Sequence, residues 1–373
     1  MGPGDHQGVF KARRDAFLAG QDHHKITAVI IFKYEDIYYL TGFFGKDSGS
    51  ILVLSPEKTY LLVNFIYYEE ARQSVDNNTD VVLYKDDRLN KAADIVSSSK
   101  ISILETDGGD ISQNDFSSLR KKLEKTGIEI SAKKEMLRPF RMIKETRELD
   151  TIKEACRITD LAFERLAGLT AGEMAQHDEL SLGNRLEGLC MESGGSGRSF
   201  DYVTASGPGS SRPHYISSHR QISGGILLMD FGTRYNNYCS DITRTVFVGR
   251  SPEKRLKDIY KIVLEAQLRA IDACRAGIRC DQLDSIARKY IEDNGYGGKF
   301  GHGLGHGVGL EIHEGPYVAA RDRTVLEENM VITIEPGIYI PGLGGVRIED
   351  MVVVEKNGCL NLYSSKKDFT FLI

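Results

Sequence analysis

Three apolar runs in the second half of the chain lead straight into carboxylates, and this recurrence constrains the fold more than any other feature. Residues 225–230 run GILLMD, residues 330–336 run MVITIEP, and residues 344–354 run GGVRIEDMVVV. Asp230 and Glu335 thus stand at the ends of apolar strands, and Glu349 with Asp350 interrupts a third. A carboxylate in such a place is costly unless a partner or a metal meets it. One case is commonplace, whereas three suggest a polynuclear metal site.

Eleven residues after Asp230 stands Asp241, in SDITRTVFV, with Asn236 and Asn237 in the intervening turn. A hairpin would set Asp230 and Asp241 side by side on neighbouring strands. The alternative is two unrelated strand-end aspartates that cap turns. Between the carboxylate strands lies GHGLGHGVGLEIHE, residues 301–314, in which five glycines alternate with His302, His306 and His313. Glycines let the backbone pass close to another surface, so the imidazoles sit where a ligand or metal is approached closely. His214 ends the turn-rich stretch SGPGSSRPH and by itself reads as a surface residue. Carboxylates with imidazoles suit a hard or borderline divalent ion such as manganese, cobalt, iron or zinc.

At 373 residues the chain exceeds what one core usually serves, so two domains are expected. In the first third, β-rich runs at 26–32, 51–54, 60–63, 81–84 and 101–104 alternate with helical stretches at 65–74, 89–97 and 112–125, after a helix at 9–20; this is an α/β pattern. No catalytic motif falls there, and the tyrosine-rich run 36–43 reads as core ending in a glycine turn. The basic stretch 133–144 is the joint, where Pro139 biases Arg138 away from helix. Helices are expected at 146–168, 172–193, 252–276 and 281–293, with Pro252 in the first turn of one and Asp281 capping another. The domains are therefore 1–135, α/β, and 136–373, α+β with a strongly curved sheet.

A net charge of −5 excludes a broad nucleic-acid-binding surface. No run is long enough to span a membrane, residues 1–25 lack the apolar core of a signal peptide, and MGPGDHQG reads as a frayed start. Six cysteines without a CxxC indicate a reduced, cytoplasmic setting, and Cys239 reads as core rather than ligand.

The motifs MDFG, SDITRT, GHGVGLEIHE, TIEPGIY and GVRIED, in that order, resemble those of the M24 "pita-bread" metallopeptidases, the prolidase (Xaa-Pro dipeptidase) and aminopeptidase P group related to methionine aminopeptidase and creatinase. The likeness covers nearly the whole chain. It includes a creatinase-like N-terminal domain, whose NIRYLTGF is similar to DIYYLTGF at 36–43, with Asp36 and Tyr38 departing. The resemblance implies that Asp230, Asp241, His306, Glu335 and Glu349 hold two divalent ions, Mn²⁺ foremost and Co²⁺, Zn²⁺ or Fe²⁺ as alternatives. Asp241 and Glu349 would bridge them. His214, His302 and His313 would surround the substrate, Arg347 would stand beside the bridging glutamate, and Glu335 would shuttle a proton to the leaving nitrogen. The implied substrate is a small peptide with proline second, and the implied assembly a homodimer. Several prolidases place an arginine shortly after the HE pair; here Tyr317 holds that place, with Arg321 and Arg323 as substitutes or as solvated side chains. Dipeptidase and aminopeptidase both remain open. A non-catalytic binding module would have lost ligand positions, and a different dinuclear hydrolase would lack this motif set.

Overall fold

Alternation of β-rich and helical stretches in the first third produces one mixed sheet. The computed structural model describes residues 7–20, 27–249, 251–367 and 371–372, so residues 1–6 of the expected frayed start and Ile26 lie outside the described residues. The chain divides into two units, Met1–Arg141 and Met142–Ile373. In the first, strands β1 (Thr27–Ile31), β2 (Ile51–Leu54), β3 (Thr59–Val63), β4 (Thr79–Leu83), β5 (Ile103–Asp107) and β6 (Glu129–Lys133) lie in the order β4-β3-β2-β1-β5-β6. The β1–β2 and β2–β3 pairs are antiparallel, whereas β1–β5, β3–β4 and β5–β6 are parallel, joined by crossover helices. Ile30, Val53, Leu62 and Leu104 project from the sheet into one core with Leu89, Val96, Leu119 and Leu123 of the helices Arg88–Ser98 and Gln113–Leu123.

Two elements of this unit carry little local signal. The aromatic run near residue 36 is a helix, Tyr34–Thr41, which stops at Gly42 in the left-handed conformation, φ 79°. Its glycine turn is therefore a helix cap. Strand β6, EISAK, is an edge strand with no buried residue, so no apolar alternation announces it. Arg138 is not excluded from helix either, since Arg138–Met142 is a short helix. Pro139 falls in its first turn, where a missing N–H costs nothing.

The second unit carries two larger sheets. Strands β7 (Val203–Ser206), β8 (Gly225–Phe231), a small hairpin of β9 (Arg234–Tyr235) and β10 (Tyr238–Cys239), and β11 (Ile242–Val248) come first. They are followed by β12 (Gly305–Gly307), β13 (Glu314–Val318), β14 (Val331–Ile334), β15 (Gly337–Ile340), β16 (Gly344–Arg347), β17 (Asp350–Glu355), β18 (Gly358–Asn361) and β19 (Phe371–Leu372). One sheet runs β19-β11-β8-β7 and the other β13-β12-β14-β17-β18, with β15 and β16 paired separately. Helices Lys254–Ala273 and Cys280–Ile291 bury Ile259, Val263, Ala287 and Ile291 against Ile332, Ile334, Val352 and Val354 in one core.

Three helix ends differ from expectation. Pro252 precedes its helix, whose N-cap is Glu253. Asp281 lies inside the first turn, because its carboxylate is paired with Arg279, the N-cap residue. The stretch 172–193 is broken into Ala171–Met174 and Glu179–Glu192, since the Asp178 carboxylate accepts from Ser181 N–H and starts the second helix afresh. Among the described residues no helix is long and apolar enough to cross a membrane.

Candidate active site

Strand register brings the carboxylates together. In the antiparallel β8–β11 pair, Asp230 faces Thr243 and Phe231 faces Ile242, so Asp241 sits one residue before β11 at the same end of the ladder. Asn236 and Asn237 turn the intervening hairpin with φ of 45° and 71°, which matches the two-residue turn that suits antiparallel strands. At the base of that hairpin a Cβ on Gly232 would lie 1.9 Å from the carbonyl oxygen of Ser240, so only glycine fits. In the β14–β17 pair Ile334 faces Asp350, which sets Glu335 and Glu349 beside each other where the ladder ends. The two ends meet directly: Glu349 N–H donates to the Thr243 carbonyl at 3.1 Å, and the Thr243 hydroxyl donates to Glu349 Oε2 at 2.6 Å. On β12, His306 comes up from the glycine run, and a Cβ on Gly305 would lie 2.0 Å from the Thr333 carbonyl oxygen of the neighbouring strand.

Asp230, Asp241, His306, Glu335 and Glu349 all line one cleft of about 480 Å³, with His214, His302, His313, Tyr317 and Arg347. Asp241, His306 and Glu349 each offer a ligand atom within 4.8 Å of the others. His306 Nε2 lies 3.4 Å from Glu335 Oε1 and 3.6 Å from Asp241 Oδ2. Asp230 is turned instead toward Arg347 Nη2, at 2.6 Å.

This cluster fits a divalent cation on three counts. The buried Oδ1 atoms of Asp230 and Asp241 have no hydrogen-bond partner among the described residues, which buried polar atoms seldom tolerate. Burial, then the neighbouring carboxylates, pushes the Asp241 and Glu349 carboxyls well above the usual range, and burial raises Glu335 to about 8. Burial holds His306 near 3, so its ring is neutral. Its Nδ1 donates to the Gly307 carbonyl at 3.1 Å, which leaves the lone pair of Nε2 aimed at two carboxylates. In the absence of a metal a proton held on a carboxyl relieves that arrangement, and a divalent cation between them would replace the proton and take up the lone pair.

Arg347 donates from each of its three side-chain nitrogens. Its Nη2 donates to Asp230, Nη1 to the Tyr339 hydroxyl at 3.0 Å, and Nε to the Thr243 hydroxyl at 3.0 Å. The Tyr339 hydroxyl lies 2.8 Å from His302 Nε2, while His302 Nδ1 lies 2.8 Å from the Gly303 carbonyl. Burial lowers His302 to about 4, so it is neutral, donating from Nδ1 and accepting at Nε2. Both of its nitrogens are therefore committed to the wall of the cleft. His214 and His313 stand on the exposed side, the His313 ring 4.4 Å from that of His306. Arg321 and Arg323 are exposed and are not among the residues that line the cleft. Cys239 is buried, its thiol toward the Leu310 carbonyl.

Thr243 and Tyr339 were not evident as site residues in the sequence, although each had a trace there. Thr243 follows Asp241 by two, the strand period that returns a side chain to the same face, and Tyr339 lies four residues past Glu335.

A cleft in which strand-end carboxylates and an imidazole converge has the donor set of a metal centre, and the relatives of the chain give its class. The model of metallopeptidase family M24 matches residues 150–356, and that of the creatinase/prolidase N-terminal domain matches residues 13–143. The Xaa-Pro dipeptidase of Pyrococcus furiosus is 38% identical over 96% of this chain and 99% of its own. Among solved structures, an Xaa-Pro dipeptidase from Bacillus anthracis superposes with a TM-score of 0.89 at 34% identity, over 98% of this chain and 99% of that one. An X-Pro aminopeptidase from Thermotoga maritima does so with a TM-score of 0.82 at 34% identity, over 93% and 97%. The chain belongs to metallopeptidase family M24, and such a family implies divalent metal ions.

Proposed function

We propose that this protein is a dinuclear metal-dependent exopeptidase that hydrolyses Xaa-Pro bonds, acting first of all as an Xaa-Pro dipeptidase. The observation that carries the reading is the convergence of Asp241, His306 and Glu349 on one point, beside buried aspartate oxygens without a partner. The names of the relatives from Pyrococcus furiosus and Bacillus anthracis support the substrate class. Asp230, Asp241, His306, Glu335 and Glu349 hold two divalent ions, with Mn²⁺ the first candidate for an oxygen-rich set containing one imidazole. Bound there, the ions supply a water acidified toward neutral pH and a Lewis acid for the scissile carbonyl.

The chain's own groups do the rest. Glu335, steadied by the Thr333 hydroxyl at 3.3 Å, carries a proton from the attacking water to the leaving proline nitrogen. His214 or His313, both exposed at the rim, donates to the oxygen that gains charge. Arg347 holds Asp230 and, through Thr243, Glu349 in fixed orientation. His302 shapes the wall through Tyr339. The protein works as a cytoplasmic homodimer.

A second reading, an aminopeptidase P acting on longer peptides, is favoured by one observation. Tyr317 lines the cleft, and Arg347 is the only arginine or lysine among the lining residues, with its three nitrogens already donating. The described lining thus offers a dipeptide's carboxylate no arginine or lysine beyond this one, already bonded to Asp230, Tyr339 and Thr243. A paired assay of Mn²⁺-loaded protein on Ala-Pro and Ala-Pro-Ala, with a chelated control, decides between them. Cleavage of Ala-Pro is expected; cleavage of the tripeptide alone would establish the aminopeptidase, and turnover of neither with metal bound would remove the substrate assignment.

A further inference from the structure

His214 reaches the cleft from a segment with little regular structure, and its ring makes no hydrogen bond among the described residues. Its position is therefore set by what holds the segment. Residues 206–218 leave β7, pass through a single 3₁₀ turn at Gly207–Ser211 and continue as irregular chain to Ser218. Both ends close on one side chain, Glu179, the first residue of helix Glu179–Glu192 and completely buried.

Glu179 Oε1 accepts from the Ser206 N–H at 2.9 Å and from the Ser206 hydroxyl at 2.8 Å. Its Oε2 accepts from the Ser218 N–H at 3.1 Å, the Ser218 hydroxyl at 2.9 Å and the Tyr215 hydroxyl at 2.8 Å. Five donors thus meet one carboxylate, which enters no ion pair among the described residues. Hydrogen bonds to an ionised acceptor are about twice as strong as neutral ones, and a charge satisfied only by donors fixes those donors in space. The backbone reinforces the attachment, since Glu179 N–H donates to the Arg220 carbonyl at 3.0 Å and Leu180 N–H to the Ser218 carbonyl at 3.2 Å. Tyr215, one residue beyond His214, is itself buried.

We infer that Glu179 is a positioning residue: its carboxylate ties the two ends of segment 206–218 together and so sets where His214 stands at the cleft. The inference rests on the reading of His214 as a group that meets the substrate. In Glu179→Gln the amide keeps the shape but turns an NH₂ toward the backbone N–H of either Ser206 or Ser218, and a backbone donor has no way to accept. One end of the segment loses its side-chain anchor and keeps only its backbone bonds, while the helix and the metal ligands are untouched.

The test is a double-mutant cycle of E179Q with H214A, using metal-loaded full-length protein and Ala-Pro. E179Q alone is expected to lower kcat roughly 10- to 100-fold, the range seen when an orienting partner is lost, with KM changed less and metal content unchanged. In the H214A background E179Q should cost less than about two-fold more, because groups acting as a unit are non-additive. Y215F, which removes one donor and leaves the charge, should give a smaller loss in the same direction and serves if E179Q does not fold. Full additivity with H214A, or wild-type kcat in E179Q, overturns the inference. Wild-type kcat in H214A alone overturns instead the role of His214, and with it the catalytic meaning of the clamp.

Discussion

The cleft and the scaffold handle buried charge in opposite ways. In the N-terminal unit, Arg14 meets Asp76 at 2.7 Å with both side chains at most 3% exposed, and Arg141 meets Asp36 at 2.7 Å. Each of these two carboxylates has its own guanidinium, while the buried Glu105 is met by Lys133 Nζ at 3.1 Å. The second unit too pairs Arg244 with Asp350 at 2.8 Å and Lys144 with Glu314 at 2.7 Å away from the cleft. In the cleft of the second unit Asp230, Asp241, Glu335 and Glu349 share a single guanidinium, that of Arg347, and burial holds His302 and His306 neutral and pushes His313 the same way. Matched charge makes scaffold, whereas unmatched charge of one sign marks the place where the molecule is completed from outside. A buried ion pair alone is weak evidence of function, and the contrast is informative because both patterns occur in one chain.

The sharpest way to break the comparison is to remove one of the unmatched charges. D241A should lose roughly 10³-fold or more in turnover, the equivalent of about 4 kcal/mol of transition-state stabilisation. Metal content, measured by elemental analysis, should fall with it, while the metal-free fold melts no earlier than wild type because a repelling carboxylate has gone. Substantial turnover by a metal-free D241A preparation would sink the mechanism.

The same operation on a matched charge should do the reverse. R14A strands Asp76 in the core and is expected to cost about 3–5 kcal/mol of stability in chemical unfolding, with kcat per folded molecule preserved. A silent R14A would mean that the pairing in the scaffold is incidental.

The mildest test uses pH. In the metal-free protein Glu335 has its carboxyl raised to about 8, chiefly by burial, and Asp241 and Glu349 are raised as well. Unfolding returns these groups to the usual carboxylate range, while His302 and His306, held low by burial, regain their ordinary value near 6.5 and act in the opposite sense below it. Between about pH 6.5 and 8 the carboxyls act alone, and the folded state binds more protons than the unfolded one. Stability conferred by the site therefore falls as pH rises through that window. Melting of the chelated protein should be lower at about pH 8 than at about pH 6.5, the gap should close on adding Mn²⁺, and calorimetry in two buffers should register proton release on binding. A metal-free melting temperature indifferent to pH would show that the carboxylates are not in competition.

Much of this arrangement was readable in the sequence, for a physical reason. An apolar run that ends on a carboxylate is a local statement about burial, and it pointed to Asp230 and Glu335 at strand ends and to Glu349 at an interruption of a third strand. The turn chemistry of Asn236 and Asn237 is equally local. What escaped was set by distant partners. Helix Tyr34–Thr41 carries the aromatic composition of a strand, the break at residues 175–178 depends on the side chain of Asp178, and β6 lacks an apolar face. Thr243, Tyr339 and Glu179 are ordinary polar residues in sequence, and only the fold reveals how many donors and acceptors each one joins.

The small hairpin between Asp230 and Asp241 also bears on how this chain tolerates change in length. Its tip, at Asn236 and Asn237, is partly open to solvent, while its base is closed by Gly232 against Ser240. Two extra residues at the tip would lengthen the arm and leave the alternation of inward and outward side chains intact. One extra residue at the base would turn every following side chain of β11 to the opposite face, and would send Asp241 and Thr243 away from the cleft together. The eleven-residue interval between the two aspartates is thus free to grow at one end and closed to insertion at the other.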